Sequence, residues 1–542
     1  MNEHPSSDHR ASMRYDVVIV GSGMGGSMAA YALVDAGLSV LMIERGPPVL
    51  RGPQNWAPAA ALELSPYYTM ESHYVVRGDD RGRAGTFQCV GGASVFYGGV
   101  AYRMREADFG ECPEIAAQAD ARWPYGYGAI EPYYGWAERI LGVAGRQGHD
   151  PTEPWRSEAY PRRAPDVQGP ARLIWNTATE LGLRPSYLPL AIDFGQSGEE
   201  ESACRRCGTC DGYACAVSAK RDPSTAVLPS LVRQGLALVS NTVVVRLLRR
   251  GGLIEGVVAV DRATGRRGIF RGDRYVLAAG ALGSPHLILS SGLEASSPAR
   301  DWVGQCLMRH CNKIVFGLFP HRLEGSRAFH KQVGILDFYG GNEGERKLGC
   351  IQSIHPPPTG LVREIAPSFL GGVAEPLADR CTGLLVIAED EPRIENGVSL
   401  SRSSTDRYGL PRAIITHRYT WRDVHARRSL AQVATAILKN AGARFTHGIR
   451  LTTFSHAVGT LRMGPDPRTS PLHPTSRFRG IDNLWVTDGS FMPRSGGVNP
   501  SLTIAANALK AGQHIAENGR RGTHRSRAQR LGTLPVLMGI DR

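Results

Sequence analysis

Three groups of residues in this 542-residue chain have types and spacings that could do chemistry. The first is His456, in the run FSHAVGTLRM at 454–463. An imidazole can take or give a proton near neutral pH. By itself a histidine in such a run is more often a satisfied buried side chain. The second is Gly21-x-Gly23-x-x-Gly26 in GSGMGG, a spacing that lets a pyrophosphate approach backbone N–H groups at a helix start. The third is Cys204-x2-Cys207-x2-Cys210-x4-Cys215. Three thiols at intervals of three, with a fourth close by, can wrap an iron–sulfur cluster or a zinc ion. Ferredoxin-type runs have one residue fewer before the last cysteine and a proline after it, whereas Ala216 follows here. Iron–sulfur is the metal reading placed first; free thiols, loop disulfides or a vestigial site are its rivals. Arg205, Arg206 and Lys220 stand nearby and are expected to favour thiolates.

The elements around the glycines are specific. YDVVIV reads as a buried strand, SMAAYALVDAG as a helix, and SVLMIE as a second strand ending in Glu44. Gly21 permits the tight turn, Gly23 admits a pyrophosphate, and Gly26 lets the helix pack on the strand. Glu44 can hydrogen-bond a ribose hydroxyl. Two later stretches repeat the logic of a strand running into small residues: GDRYVLAAGALG, containing Gly280, and LWVTDG, containing Asp488 and Gly489. VNPSLTIAANALKAGQHI then reads as a helix with Pro500 at its start, offering a positive dipole end. A nicotinamide enzyme needs no such contribution from the far end of the chain, which points to a flavin dinucleotide.

Five stretches in this order, VIVGSGMGGSMAA, VGGASVFYGGVAYR, AAGALGSPHLILSSGL, SHAVGTLRMG and NLWVTDGSFMPRSGGVNPSLTIAANALKAG, resemble the glucose–methanol–choline (GMC) flavin oxidoreductases. The resemblance implies bound FAD and an α/β Rossmann-like FAD domain, joined to an α+β substrate domain built on an antiparallel sheet. It places His456 beside the reactive face of the isoalloxazine, with Asn499 as its partner. An imidazole there can accept the hydroxyl proton while flavin N5 takes the hydride. Gly91, Gly92 and Ser94 match the segment along the pyrophosphate and flavin, Asp488 and Gly489 the segment at the ribityl chain, and Val243 or Val245 the backbone near the adenine. Tyr97 stands where the family commonly has Asn, and shapes the pocket or simply packs. Similarity in GGASVFYGGVAYRM, ARWPY, PYYGWAERILGVAG and LPLAI extends to a narrower group, flavin enzymes that oxidise the 6′-hydroxyl of aminoglycoside precursors. For such a polycation, Glu389, Asp390 and Glu391 in AEDEP are the candidate ammonium ligands, a solvated rim being the alternative. Rival readings are a dehydrogenase of a generic sugar, sterol or other alcohol that passes electrons through an iron–sulfur cluster, and a lyase on the same fold.

The expected FAD domain is discontinuous, 14–110, 200–308 and 450–517, with 111–199 and 309–449 as the substrate domain. Segment 1–13 is read as disordered and 518–542 as a basic tail. Aromatic residues at 123, 125, 127, 133, 134 and 136 are core or a sugar-stacking stripe. Hydrophobic residues make up 42% and charged residues 21%, an ordinary globular balance. The net charge of +13 comes without basic runs interleaved with aromatics, so no nucleic-acid partner is expected. No apolar stretch is long enough to span a bilayer, and the polar N-terminus lacks the middle of a secretory signal. A cytoplasmic enzyme is expected, acting on a small, sugar-like alcohol with oxygen or an electron carrier as acceptor.

Overall fold

The computed structural model describes residues 13–61, 64–69, 74–79, 85–112, 115, 121–195, 204–326, 329–340, 347–356 and 377–520. Residues 1–12 of the expected N-terminal segment and 521–542 of the expected tail lie outside them.

A seven-stranded sheet carries the glycine-rich turn. Its strands are β1 (Arg14–Val20), β2 (Val40–Ile43), β3 (Ala237–Val239), β4 (Thr242–Arg250), β5 (Leu253–Asp261), β6 (Arg267–Leu277) and β7 (Leu484–Val486). They run in the order β4-β5-β6-β1-β2-β3, with β7 also pairing β6. β6, β1, β2, β3 and β7 pair in parallel, while β4, β5 and β6 pair antiparallel. Val17–Val20 and all of β2 are buried. That is why both read as unbroken apolar runs: parallel strands are covered on both faces.

Helix α1 (Met24–Asp35) follows β1, α2 (Gly280–Ser290) follows β6, and α4 (Ser501–Arg520) follows Pro500. α4 lies against α1, where a Cβ on Gly512 would sit 2.9 Å from the Ala29 carbonyl oxygen. The end of the chain is thereby locked onto the helix that opens the fingerprint. Residues 518–520 of the expected tail belong to α4, which continues to Arg520.

A second, antiparallel sheet has six strands in the order Phe445–Arg450, Lys313–Leu318, Cys381–Ala388, Gly349–Ile354, Val333–Ile335 and Pro185–Tyr187. Helix α3 (Trp421–Asn440) packs on it through Leu430, Ala434 and Ile437. Thr420 starts α3, its side chain accepting from the Asp423 N–H, a cap worth ~1 kcal/mol. The strand starting at Gly397 does not join this sheet. Gly397–Thr405 pairs with Pro411–His417, which pairs in parallel with Tyr74–Gly78. The diversion is made by Leu307 N–H donating to Asn396 O at 3.1 Å and Val398 N–H donating to Gly304 O at 2.8 Å. Trp123, Tyr127 and Tyr134 are buried with Phe109, so that part of the aromatic stripe is core.

Candidate active site

The C-terminal edge of the parallel strands forms a cradle. Gly23 caps α1 with no side-chain acceptor, which leaves the first N–H groups of α1 without a side-chain cap. A Cβ there would meet nothing closer than 3.9 Å, so space lies open over the helix start. Gly92 docks on this turn, since a Cβ on it would lie 2.9 Å from Gly23 Cα. Gly91 N–H donates to Ser22 Oγ at 3.0 Å. Ser94 lies in the short 3-10 turn that follows, partly exposed. Glu44 is buried at the end of β2. Its Oε2 accepts from Ser22 N–H and Oγ–H (2.9 and 2.6 Å) and its Oε1 from Gly46 N–H (2.8 Å). Burial pushes its pKa up against those bonds.

Farther along, the pairing of β4 with β5 skips Val245, which sits in a bulge between Val244 and Arg246. A bulge frees backbone N–H and C=O groups for a ligand. Gly280, with φ +83°, has no neighbour within 4 Å of a Cβ position. Asp488 is engaged in holding the frame. Its Oδ2 accepts from Gly280 N–H (3.0 Å) and Ser284 Oγ–H, and its Oδ1 from Ser490 N–H (2.9 Å) and Oγ–H. It ties the start of α2 to the Gly489 turn, and burial raises its pKa. An uncapped helix start, an open glycine, a strand-end carboxylate and a bulged edge strand fit a dinucleotide.

At the other end of the cradle His456 meets a histidine that sequence spacing did not reveal. The Nδ1 atoms of His310 and His456 are 2.9 Å apart. His310 Nε2 faces the carbonyls of Gly496 (2.9 Å) and Ser495 (3.2 Å). Carbonyls only accept, so Nε2 of His310 carries its proton. In the neutral pair its Nδ1 must then accept, His456 Nδ1–H donates, and His456 Nε2 is left with the lone pair. His456 is partly exposed. Its pKa is pushed down to about 3 by withdrawal from water, then by His310 and Lys331, with Asp390 opposing.

Asp390 builds this pair. Its carboxylate accepts from Arg309 N–H (2.7 Å), His310 N–H (3.1 Å) and Ser495 Oγ–H (2.8 Å). It thus joins the segment bearing His310 to the segment whose carbonyls fix the His310 proton. His310 sits at φ +59°, a left-handed conformation unusual for a non-glycine residue, and Tyr419 Oη–H donates to its carbonyl at 2.8 Å. Asn499 lies three residues beyond Gly496, and its Oδ1 accepts from Gln352 Nε2–H at 2.7 Å. Among the described residues its NH2 has no hydrogen-bond partner.

Other expected residues are placed differently. Glu389 is fully buried, paired with Lys347 (2.9 Å) and Arg494 (3.1 Å), and these cations with Arg422 hold its carboxyl well below the ordinary range against burial. It cannot receive an ammonium from solution. Glu391 is partly exposed, and its N–H donates to Asp423 Oδ1 at 3.1 Å. Tyr97 Oη–H donates to the Arg221 carbonyl, so the phenol is already engaged.

Among the described residues no three His, Cys, Asp or Glu side chains gather as a metal would need. Cys204 Sγ accepts from Arg206 N–H (3.3 Å), Cys207 Sγ meets Thr209 Oγ1 (3.0 Å), Cys215 Sγ accepts from Lys220 N–H (3.5 Å), and Cys210 is buried. Burial raises the Cys204 thiol to about 11 and the Cys210 thiol well above its ordinary value. Cys204 and Cys210 are therefore held as thiols rather than thiolates. Lys220 does pull the Cys210 thiol down, but burial outweighs it; its ammonium also pins the loop, donating to the carbonyls of Tyr97, Cys210 and Tyr213 at 2.6, 2.7 and 2.7 Å.

Family models match in three places: an FAD binding domain at 16–62, and the GMC oxidoreductase models at 188–312 and 392–508. The chain belongs to the GMC oxidoreductases and is an FAD-dependent enzyme acting on CH–OH donors. It is similar to the 6‴-hydroxyparomomycin C oxidase of Streptomyces lividus, at 32% identity over 93% of this chain and 92% of that one. It is also similar to the paromamine 6′-oxidase of Streptomyces fradiae, at 30% identity over 93% and 91%. The solved pyridoxine 4-oxidase from Mesorbium loti shares the fold with a TM-score of 0.62 at 18% identity, covering 94% of this chain and 100% of that one. Among the described residues no helix is long and apolar enough to cross a membrane.

Proposed function

We propose that this enzyme oxidises a hydroxymethyl carbinol of an amino-sugar glycoside to the aldehyde, with His456 Nε2 receiving the hydroxyl proton. The flavin, when bound, supplies the two-electron acceptor. Gly23, Gly92, Glu44 and the Val245 bulge hold the dinucleotide; Asn499 orients the carbinol through its amide donors. The observation that carries the reading is the geometry that fixes the tautomer: His310 Nδ1 accepts a hydrogen bond from His456 Nδ1–H, so Nε2 presents a lone pair at any pH where the pair is neutral. The substrate class is supported by the two Streptomyces oxidases, which span nearly the whole chain. A neutral polyol is the second reading. It is favoured by the burial of Glu389 among cations and by the net charge of +13, which disfavours a polycation at long range.

Anaerobic mixing of the FAD-loaded enzyme with paromamine, methyl glucoside and a simple primary alcohol tests both. Bleaching of the flavin by paromamine at the highest kcat/KM is the expected result. His456→Ala should keep the flavin spectrum and lose ~10²–10⁴-fold in reduction rate. A variant that reduces as fast as the parent would remove His456 from the chemistry.

A further inference from the structure

Three buried ammonium groups lie near the site, and they are not equally satisfied. Lys220 uses all three N–H donors on carbonyls. Lys347 lies between the carboxylates of Asp108 and Glu389, with the Tyr339 ring 4.7 Å away. Lys331 is 1% exposed, yet among the described residues its Nζ has one partner, Asp211 Oδ1. A buried ammonium with two idle donors is costly unless another acceptor arrives.

The surroundings indicate where that acceptor comes from. Asp211 belongs to the cysteine-bearing loop, and its side chain is 43% exposed, so the pair is reached from solvent at the carboxylate end. Gly98 backs both groups: a Cβ there would collide with Asp211 Oδ1 and Lys331 Nζ. Gly98 directly follows the Gly91–Tyr97 stretch that docks on the dinucleotide turn. On the other side, Gln332, next in the chain, donates its N–H to Ser353 Oγ at 3.1 Å, beside the Gln352 that donates to Asn499. The pair therefore stands between the flavin-side segment and the strand that holds Asn499, and the Phe-Tyr-Gly-Gly run makes room for it.

We propose that Lys331 and Asp211 form a donor–acceptor subsite that grips a second hydroxyl of a polyhydroxylated substrate while the neighbouring carbinol is oxidised. Lys331 Nζ donates to the hydroxyl oxygen, and Asp211 Oδ2, without a partner among the described residues, accepts a hydrogen bond from that hydroxyl. No bond is made or broken there. The subsite explains how a chain without an accessible Glu389 selects a polyol, and it rests on the alcohol-oxidising reading above.

The test uses the FAD-loaded enzyme and two substrates, methyl glucoside and 1-butanol, with flavin reduction followed anaerobically. For Lys331→Met and Asp211→Asn, kcat/KM for methyl glucoside should fall about 10- to 100-fold, chiefly through KM. It should change less than about threefold for 1-butanol, with FAD content unaltered. Lys331→Arg should recover part of the loss. Equal losses on both substrates would show that Lys331 acts on His456 or the flavin, and would overturn the subsite. Unchanged glucoside kinetics in Asp211→Asn, a substitution at an exposed position, would also overturn it. If neither alcohol, nor paromamine, reduces the flavin of the parent enzyme, the alcohol-oxidising reading fails and the subsite falls with it.

Discussion

A base is useful only in its neutral form, and the surroundings of His456 bear on when that form exists. Withdrawal from water, the His310 ring and the Lys331 ammonium all oppose a charge on it, and its pKa lies near 3. The sign follows directly. A histidine at its ordinary pKa of about 6.5 would be roughly nine-tenths protonated at pH 5.5, costing about tenfold in rate. With the pKa depressed, the neutral form persists well below that. The kcat/KM of the enzyme should therefore stay level from pH 8 to about 5 and fall only in stronger acid, read from pH profiles of flavin reduction. A drop centred near 6.5 would mean that His456 titrates as an exposed histidine. His456 was legible in the sequence because a motif surrounds it. His310 was not: it stands 146 residues away, is brought in by the Asp390 carboxylate, and has no spacing that periodicity could reveal. Glu389 shows the converse error. Its acidity was visible, but whether Lys347 and Arg494 would neutralise it depends on tertiary contact.

At the scale of elements, the α1 start and the Gly92 turn make opposite demands on two glycines. At Gly23 a methyl group meets no atom closer than 3.9 Å, so Gly23→Ala should leave the stability of the FAD-free protein within about 0.5 kcal/mol. It projects into the space where a pyrophosphate would approach the backbone, so FAD affinity should fall about tenfold or more, measured by titration of the FAD-free protein. At Gly92, φ is +62° and the Gly23 Cα blocks the methyl. Gly92→Ala should lower the unfolding midpoint even without FAD. Equal FAD affinity in Gly23→Ala and the parent would move the pyrophosphate elsewhere. The strands β1, β2 and β6 and the helix α3 could be read from sequence because burial on two faces, or on one helical stripe, leaves an apolar period. The Val245 bulge and the diversion of Gly397–Thr405 could not. Each depends on which backbone groups a distant neighbour offers, and local composition does not encode that.

At the scale of the whole molecule, the cradle is closed by pieces from both ends of the chain. β1 and α1 come from the start, β6 and α2 from the middle, and β7, the Asp488 turn and α4 from the end. Asp488 clamps α2 to the Gly489 turn, and Gly512 seats α4 on α1. Behind the histidine pair, Asp108, Lys347, Glu389 and Arg494 form a buried ionic group that crosses from the dinucleotide side to the antiparallel sheet. Removing one member of such a group leaves a charge without its partner, which is costly. A ligand that touches all three regions favours the closed arrangement of each, and binding only the folded form adds stability by mass action. At 100 times its dissociation constant, FAD adds about 2.7 kcal/mol. Thermal unfolding followed at 280 nm and by flavin release should show one transition that rises by roughly 2–3 °C with excess FAD. Two transitions, with the one from the antiparallel sheet indifferent to FAD, would mean that the buried ionic group does not couple the halves, and that the His310–His456 pair is assembled without help from the cofactor.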